Sequence, residues 1–263
     1  MASVDLELDG DNWSTRSDIK FSLATLNDID DLKRFMSDNY YANAPIIKCV
    51  GASEGNVLIG NYVRRFMDKI CIYDPIQKNE SGTPCSIIVR TVPDNRIVAC
   101  NMGAIYKRDD IIAEEENSFV DRLLEALPSY LFPRKLMLLI NVGASLFADL
   151  KYSKKVAFEE LKDSGDLIYF DECLSVSNEM RGQGLGRELV KRAYKIAQDA
   201  GCKYTYVLAT SIYSQKIFHK LDNTTVLHEV QYEDYEYDKD GRPFLLNYGE
   251  HRVIQILAIN HTP

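Results

Sequence analysis

Apolar residues recur with two periods along this chain, and the C-terminal half is the more regular. Leu185, Leu189, Ala193, Ile196 and Ala197 fall at helical spacing, which predicts a helix over residues 184–200 that Gly201 ends. Strand-like runs lie on either side of it, at 167–176 and 204–209. A second helix is expected over 211–221, and two more strands over 225–232 and 252–259. Asp240-Gly241 marks a turn in the tyrosine-rich, acidic stretch between them. In the N-terminal half, residues 20–26 alternate and stop at Asn27-Asp28, which reads as the cap of a helix over 28–39. Ile29, Leu32, Phe35 and Met36 form its inner face. Another helix is expected over 56–69, and 78–84 reads as a turn. Two strands, 85–92 and 96–106, flank Pro93-Asp94-Asn95, the pattern of a hairpin. Residues 109–117 read as an acidic loop and 118–162 as helical pieces broken at Pro128, Pro133 and Gly143. Residues 1–18 are expected to be a loose leader and 19–263 a single domain. The alternation of strands and helices predicts a mixed α/β sheet.

Composition narrows the class. The 263 residues are 46% hydrophobic and 27% charged, as in a globular domain large enough to bury a sizeable core. The formal net charge of -8 argues against a nucleic-acid partner, which calls for a basic face, and mildly favours a cationic substrate. The six cysteines form no CxxC pair and read as buried thiols of a reducing compartment. The N-terminus is polar and acidic, without the apolar core of a signal peptide, and the longest apolar run, 136–142, is far short of the ~20 residues of a membrane span. A cytoplasmic protein is expected, without membrane or nucleic-acid contacts, as a monomer or weak homodimer. No residues have metal-ligand spacing, so no metal is expected. His219, His228 and His251 read as structural, with His251 placed to border a pocket.

The segment with chemistry in it is Glu172-Cys173-Leu174-Ser175-Val176, followed by Arg181-Gly182-Gln183-Gly184-Leu185-Gly186 at the start of a helix. A strand that feeds a glycine-rich turn and a helix N-terminus is an anion site, because the first N–H groups of the helix are unpaired and its dipole favours negative charge. Glycine lets the backbone approach phosphate oxygens, and Arg181 can close one side with a charge-assisted hydrogen bond. Two other phosphate motifs fail. A dinucleotide fingerprint read from Gly184 meets Leu189 where its third glycine belongs, and a P-loop would need Lys-Ser/Thr after Gly186, where Arg187-Glu188 stand.

The turn resembles the acetyl-CoA signature of the GCN5-related N-acetyltransferase (GNAT) superfamily, Gln/Arg-x-x-Gly-x-Gly/Ala. A second block, Tyr206 to Ser214 followed by Val230 to Tyr235, is similar to insect-type arylalkylamine N-acetyltransferases. The clear resemblance spans residues 165–235, with a weaker one around 40–51. It implies a single-domain GNAT fold, an α/β architecture with a mixed, centrally splayed sheet flanked by helices. It implies acetyl-CoA as co-substrate and a small amine as acceptor, an arylalkylamine such as dopamine, serotonin or tryptamine, acetylated directly in a ternary complex. By the same resemblance, Leu174, Ser175 and Val176 line the pantetheine arm, and Arg181, Gly182, Gln183, Gly184, Leu185 and Gly186 hold the pyrophosphate. Ser214 lies near the coenzyme sulfur, where it returns a proton to the thiolate, and Thr210 matches a second active-site serine. Lys216 is either a coenzyme contact or a solvated helix lysine.

The sequence departs from the family at two places. Where many members carry a tyrosine as general acid stands Phe218, as it does in the insect-type enzymes, and Tyr213 is an alternative acid. Where insect-type enzymes carry a glutamate as general base, in Asp-Glu-Pro-Leu-Asn, this chain reads Asn43-Ala44-Pro45-Ile46-Ile47. A base for the protonated amine must then come from elsewhere. Simple strand alternation puts Glu172 on the face of Leu174 and Val176 and Asp171 on the other, unless a bulge shifts the register. Glu172 is therefore the expected base, since apolar neighbours make a carboxylate hold its proton more tightly. Two alternatives stay open: an acetyltransferase for polyamines or agmatine, which the acidic residues Glu233, Asp234, Glu236 and Asp238 would suit, and an acyl-CoA-binding module without turnover. Tyr232, Tyr235, Tyr237 and Tyr248 either line an amine pocket or pack the core.

Overall fold

The computed structural model describes residues 16–49, 64, 65, 67–107, 167–235 and 248–261. The strands β1 (Ile19–Leu23), β2 (Ile87–Thr91), β3 (Ile97–Lys107), β4 (Leu167–Val176), β5 (Cys202–Ala209), β6 (Thr224–Gln231) and β7 (Val253–Asn260) form one seven-stranded sheet in the order β1-β2-β3-β4-β5-β7-β6. Only β4 and β5 run parallel; the other neighbours are antiparallel. The expected mixed α/β sheet flanked by helices is what is found. The expected features over 109–117, 118–162 and 240–241, and most of the helix expected over 56–69, lie outside the described residues.

Two helical layers cover the sheet. On one face α4 (Leu185–Asp199) packs Leu185, Leu189, Ala193 and Ala197 against Ile87, Val89, Ala99 and Tyr169. On the other, α1 (Ile29–Met36) brings Leu32, Phe35 and Met36 against Ile88, Cys100, Met102 and Cys173, together with Cys71, Ile72 and Ile76. The alternation of Ile87 and Val89 with Ile88 sends neighbours to opposite layers, as the pleat requires. Asp28 does precede α1, but its carboxylate accepts hydrogen bonds from the Thr25 N–H and hydroxyl, both at 2.8 Å, and from Arg90 Nη2 at 2.8 Å. Arg90 also reaches Asp31 at 2.8 Å, so one guanidinium on β2 fixes the start of α1.

After α1 the chain continues through a wider π-type turn, Ser37–Tyr41, to the short helix α2 (Pro45–Cys49). The turn expected over 78–84 is instead largely helical: α3 spans Asp74–Ser81. Pro75 in its first turn presets the backbone. The polar run Lys78-Asn79-Glu80 misleads, because Asn79 points inward and donates to Ser86 Oγ at 2.8 Å. The last two helical and strand features follow expectation, with α5 at Ile212–Phe218 and β6 and β7 paired beyond it.

The β4–β5 ladder runs from Leu167↔Cys202 to Asp171↔Val207 and stops. Beyond it β4 stays paired with β3, up to Val176↔Ala99, while Leu208 and Ala209 pair with β7. A wedge thus opens in the middle of the sheet. A β-bulge stands at its apex. Met102 pairs with Cys173 and Gly103 with Asp171, so Glu172 is the extra residue. The bulge corrects the alternation expected for β4. Asn101 lies opposite Leu174, and its side chain bonds both Tyr169 and Asp171, so Asp171 shares the face of Tyr169, Leu174 and Val176.

Gly103 makes this turn of the ladder possible. A Cβ there would lie 2.3 Å from Tyr169 Oη and 2.4 Å from the Phe170 carbonyl oxygen, and the latter is backbone that cannot step aside. Gly103→Ala is expected to destabilise the fold by about 1–3 kcal/mol, as overpacking in a close-packed interior does. The midpoint of urea unfolding is the measurement; an unchanged midpoint would mean that the sheet yields at this point.

Candidate active site

At the wide end of the wedge lies the glycine turn. Gly182 and Gly184 have φ of 75° and 86°, left-handed values that L side chains rarely adopt. Gly184 caps α4, and the first helical hydrogen bond runs from Glu188 N–H to Gly184 O at 3.1 Å. The N–H groups of Leu185, Gly186 and Arg187 precede it and have no helical acceptor. Gly186 permits close approach: a Cβ there would meet Ile217 Cδ1 at 3.2 Å and Val176 Cγ2 at 3.6 Å. Arg181 donates from Nε to the Val176 carbonyl at 3.0 Å and from Nη2 to the Asn39 carbonyl at 3.5 Å, bridging β4 and the end of the first helical segment. Gln183 donates to Glu179 O at 3.0 Å and accepts from Arg16 Nη1 at 3.0 Å. This cradle of free N–H groups beside a guanidinium fits a diphosphate.

The wedge itself offers backbone groups. Ser177 N–H donates to Val98 O at 2.8 Å, so antiparallel alternation turns the groups of Ser175 toward β3 and those of Leu174 and Val176 toward the gap. Of the three residues expected to line an acyl arm, Leu174 and Val176 thus present N–H groups to the wedge, whereas Ser175 is buried in the β3 ladder.

The far wall is the start of α5. Ser211 caps it, accepting from Ser214 N–H at 3.1 Å, and Ser214 Oγ donates to the Ser211 carbonyl at 2.8 Å. Ser214 is half-buried, and its hydroxyl proton is held locally within the cap. The Thr210 carbonyl accepts from Tyr232 Oη at 2.9 Å, which ties β6 to the same corner. Phe218 is in the core with Val207 and Leu257. Lys216 is exposed on α5. Tyr213 is exposed and donates to Glu250. Gln215 Nε2 bonds the Ala209 carbonyl at 3.0 Å and the Val253 carbonyl at 2.8 Å, fastening α5 to β5 and β7.

His251, read from sequence as structural, proves to belong to this corner. Its Nδ1 accepts from Ile212 N–H at 3.2 Å, which puts the proton of the neutral ring on Nε2. Burial, and to a lesser degree the Lys48 charge, hold its imidazole below the ordinary value, against the opposing pull of Glu250. Lys48, on α2, is among the charges that act on this histidine, and Ala44, just ahead of α2, is buried. No periodicity could announce His251; the only signal was its position just before a strand.

Two carboxyls stand at the apex. Glu172 is half-buried, and Asp171 is fully buried. Among the described residues no group of three or more His, Cys, Asp or Glu side chains could hold a metal ion, and no helix is long and apolar enough to cross a membrane.

The model of the Acetyltransferase (GNAT) family matches residues 109–222. No curated protein matches the sequence significantly. Among solved structures, arylalkylamine N-acetyltransferase 2 from Aedes aegypti superposes with a TM-score of 0.69 at 18% identity, over 93% of this chain and 99% of that one. The polyamine N-acetyltransferase of Drosophila melanogaster, which forms N-acetylagmatine, gives 0.62 at 15% identity over 92% and 100%. An agmatine N-acetyltransferase gives 0.62 at 15% identity over 93% and 100%. At these identities the likeness is one of fold.

The charges around His251 can be read directly. By NMR titration its imidazole should protonate below the ordinary histidine range, Lys48→Ala should move the midpoint up, and Glu250→Gln should move it further down. A midpoint indifferent to Lys48 would detach α2 from this corner.

Proposed function

We propose that this chain, a GNAT acetyltransferase by the family match over residues 109–222, transfers the acetyl group of acetyl-CoA to a small primary amine, an arylalkylamine such as tryptamine, dopamine or serotonin. The observation that carries this reading is the wedge beyond Asp171↔Val207, which opens directly onto the cradle at Arg181–Gly186. The cradle N–H groups and Arg181 would hold the pyrophosphate, and Leu174 and Val176 would line the pantetheine arm. Acetyl-CoA supplies the activated acyl group.

The chain's own groups then divide the proton and charge handling. Although the bulge gives the face of Leu174 and Val176 to Asp171, Glu172 is the extra residue at the apex of the wedge and the solvent-accessible carboxyl of the two, and through water it accepts the proton that the ammonium form of the amine must lose before it can attack. The Leu174 and Val176 N–H groups face the gap, where they can stabilise charge growing on an acyl oxygen. Ser214 Oγ, once released from the Ser211 carbonyl, passes its proton to the departing thiolate and regains one, through water, from the nitrogen that becomes the amide. Thr210 shapes the corner through its carbonyl bond to Tyr232. No covalent enzyme intermediate is required, and the buried cysteines take no part.

An arylalkylamine is preferred for the resemblance of Tyr206–Ser214 and Val230–Tyr235 to insect-type arylalkylamine enzymes; the charges acting on His251, Glu250 and Lys48, are of opposite sign and do not disfavour a polycation. The polyamine or agmatine reading retains one support, the exposed Glu233 and Asp234 that follow Tyr232. Coenzyme release measured with tryptamine, dopamine, agmatine and spermidine separates the two. The aromatic amines are expected to give the higher kcat/KM, and a preference for agmatine or spermidine would overturn the choice. Tight acetyl-CoA binding without turnover of any amine would leave a binding module. Arg181→Ala is expected to raise the KM for acetyl-CoA roughly tenfold or more with little change in kcat, the size of a lost charge-assisted hydrogen bond.

A further inference from the structure

The bulge places two consecutive acidic residues at the apex of the wedge, and only Glu172 has so far been given a task. Asp171 is 5% exposed. Its Oδ2 accepts from Asn101 Nδ2 at 2.8 Å, and Asn101 Oδ1 accepts in turn from Tyr169 Oη at 2.8 Å. Its Oδ1 has no hydrogen-bond partner, although it is buried. An ionised carboxylate in that state is costly, since one oxygen has lost water and gained nothing. Burial pushes the Asp171 carboxyl up to about 7; Asn101 pulls it down and the Glu172 charge adds to the rise.

The other titratable groups around it are silent in that range. Tyr169 on β4, Cys85 ahead of β2 and Cys202 on β5 are all raised chiefly by burial, Cys202 to about 12, and stay neutral where carboxyls titrate. Glu172 is the charged neighbour that acts on Asp171. Coulomb coupling is reciprocal, so Asp171 acts on Glu172 equally. Groups coupled in this way release their protons in two steps that belong to the pair.

We propose that Asp171 is a positioning residue for the proton chemistry of this site, a buried carboxyl whose charge acts on the neighbouring Glu172 and thereby sets the pH at which Glu172 takes a proton from the amine. This rests on Glu172 being the base. The ammonium form of the acceptor loses one proton through water to the pair, becomes the neutral amine, and the pair later returns that proton to solvent. With Asp171 ionised, Glu172 binds protons more firmly and serves as a stronger base; with Asp171 protonated it is weaker.

Asp171→Asn keeps the shape and an oxygen for Asn101 but removes the second charge. It is expected to move the acid limb of kcat/KM to lower pH by roughly one unit, with the limb reduced from two protons to one. A uniform loss of activity at every pH, with the limb in place, would reduce Asp171 to a structural role and overturn the proposal. A second measurement does not depend on turnover or on the folding of that variant. In Glu172→Gln, the Asp171 carboxyl followed by 13C NMR should titrate at lower pH than in the native chain; an unmoved midpoint would overturn the coupling. If instead the acid limb is unchanged in Glu172→Gln while the Asp171 midpoint does move, the coupling stands and the assignment of Glu172 as base is what falls.

Discussion

The parting of β4 from β5 beyond Asp171↔Val207 is the constraint on which the rest of this molecule depends. A continuous ladder would satisfy the backbone of Leu174 and Val176 and leave no entry for a ligand. The extra residue at Glu172 breaks the ladder on one side while β3 keeps hold of the other. Open backbone groups inside a sheet are costly to leave unmade, and this one is stabilised from its two layers. Leu174 and Val176 remain packed toward α4, and Cys173 toward Met36. The sheet gives up hydrogen bonds at one place because the packing above and below does not need them.

That division sets the character of the two halves of the site. The side facing the glycine turn is built from Gly182 and Gly184, whose left-handed backbone L side chains rarely adopt, from Gly186, where a Cβ would crowd Ile217, and from Arg181, held by the carbonyls of Val176 and Asn39. The opposite side is built from segments that cross rather than pair, the start of α5 and His251 before β7, with Lys48 on α2 among the charges acting there. The first half offers N–H groups and positive charge, the second a neutral imidazole, hydroxyls and one lysine. The proposed pairing of a diphosphate-bearing donor with an amine acceptor assigns one to each of these two environments.

Much of this was readable from residue order. The spacing of Leu185, Leu189, Ala193 and Ala197 located α4 within a residue at each end, and Pro93-Asp94-Asn95 located the β2–β3 hairpin. Both are local signals, periodicity and turn chemistry, that tertiary structure had no reason to override. α3 escaped because a helix that is polar by composition buries Asn79 in a hydrogen-bond network instead of an apolar stripe. The bulge escaped for a deeper reason: Phe170-Asp171-Glu172-Cys173 alternates equally well with or without an extra residue, and only pairing with Met102 and Gly103 decides it. His251 escaped because its role arises from a contact with Ile212, 39 positions earlier in the chain.

Gln215 carries one consequence further. By joining the carbonyls of Ala209 and Val253 it welds the helix that bears Ser214 to two strands at the point where their own ladder ends. The start of α5 is therefore a rigid plate, and on the proposed reading any adjustment to the shape of an acceptor falls to segments that are not fastened to the sheet in this way.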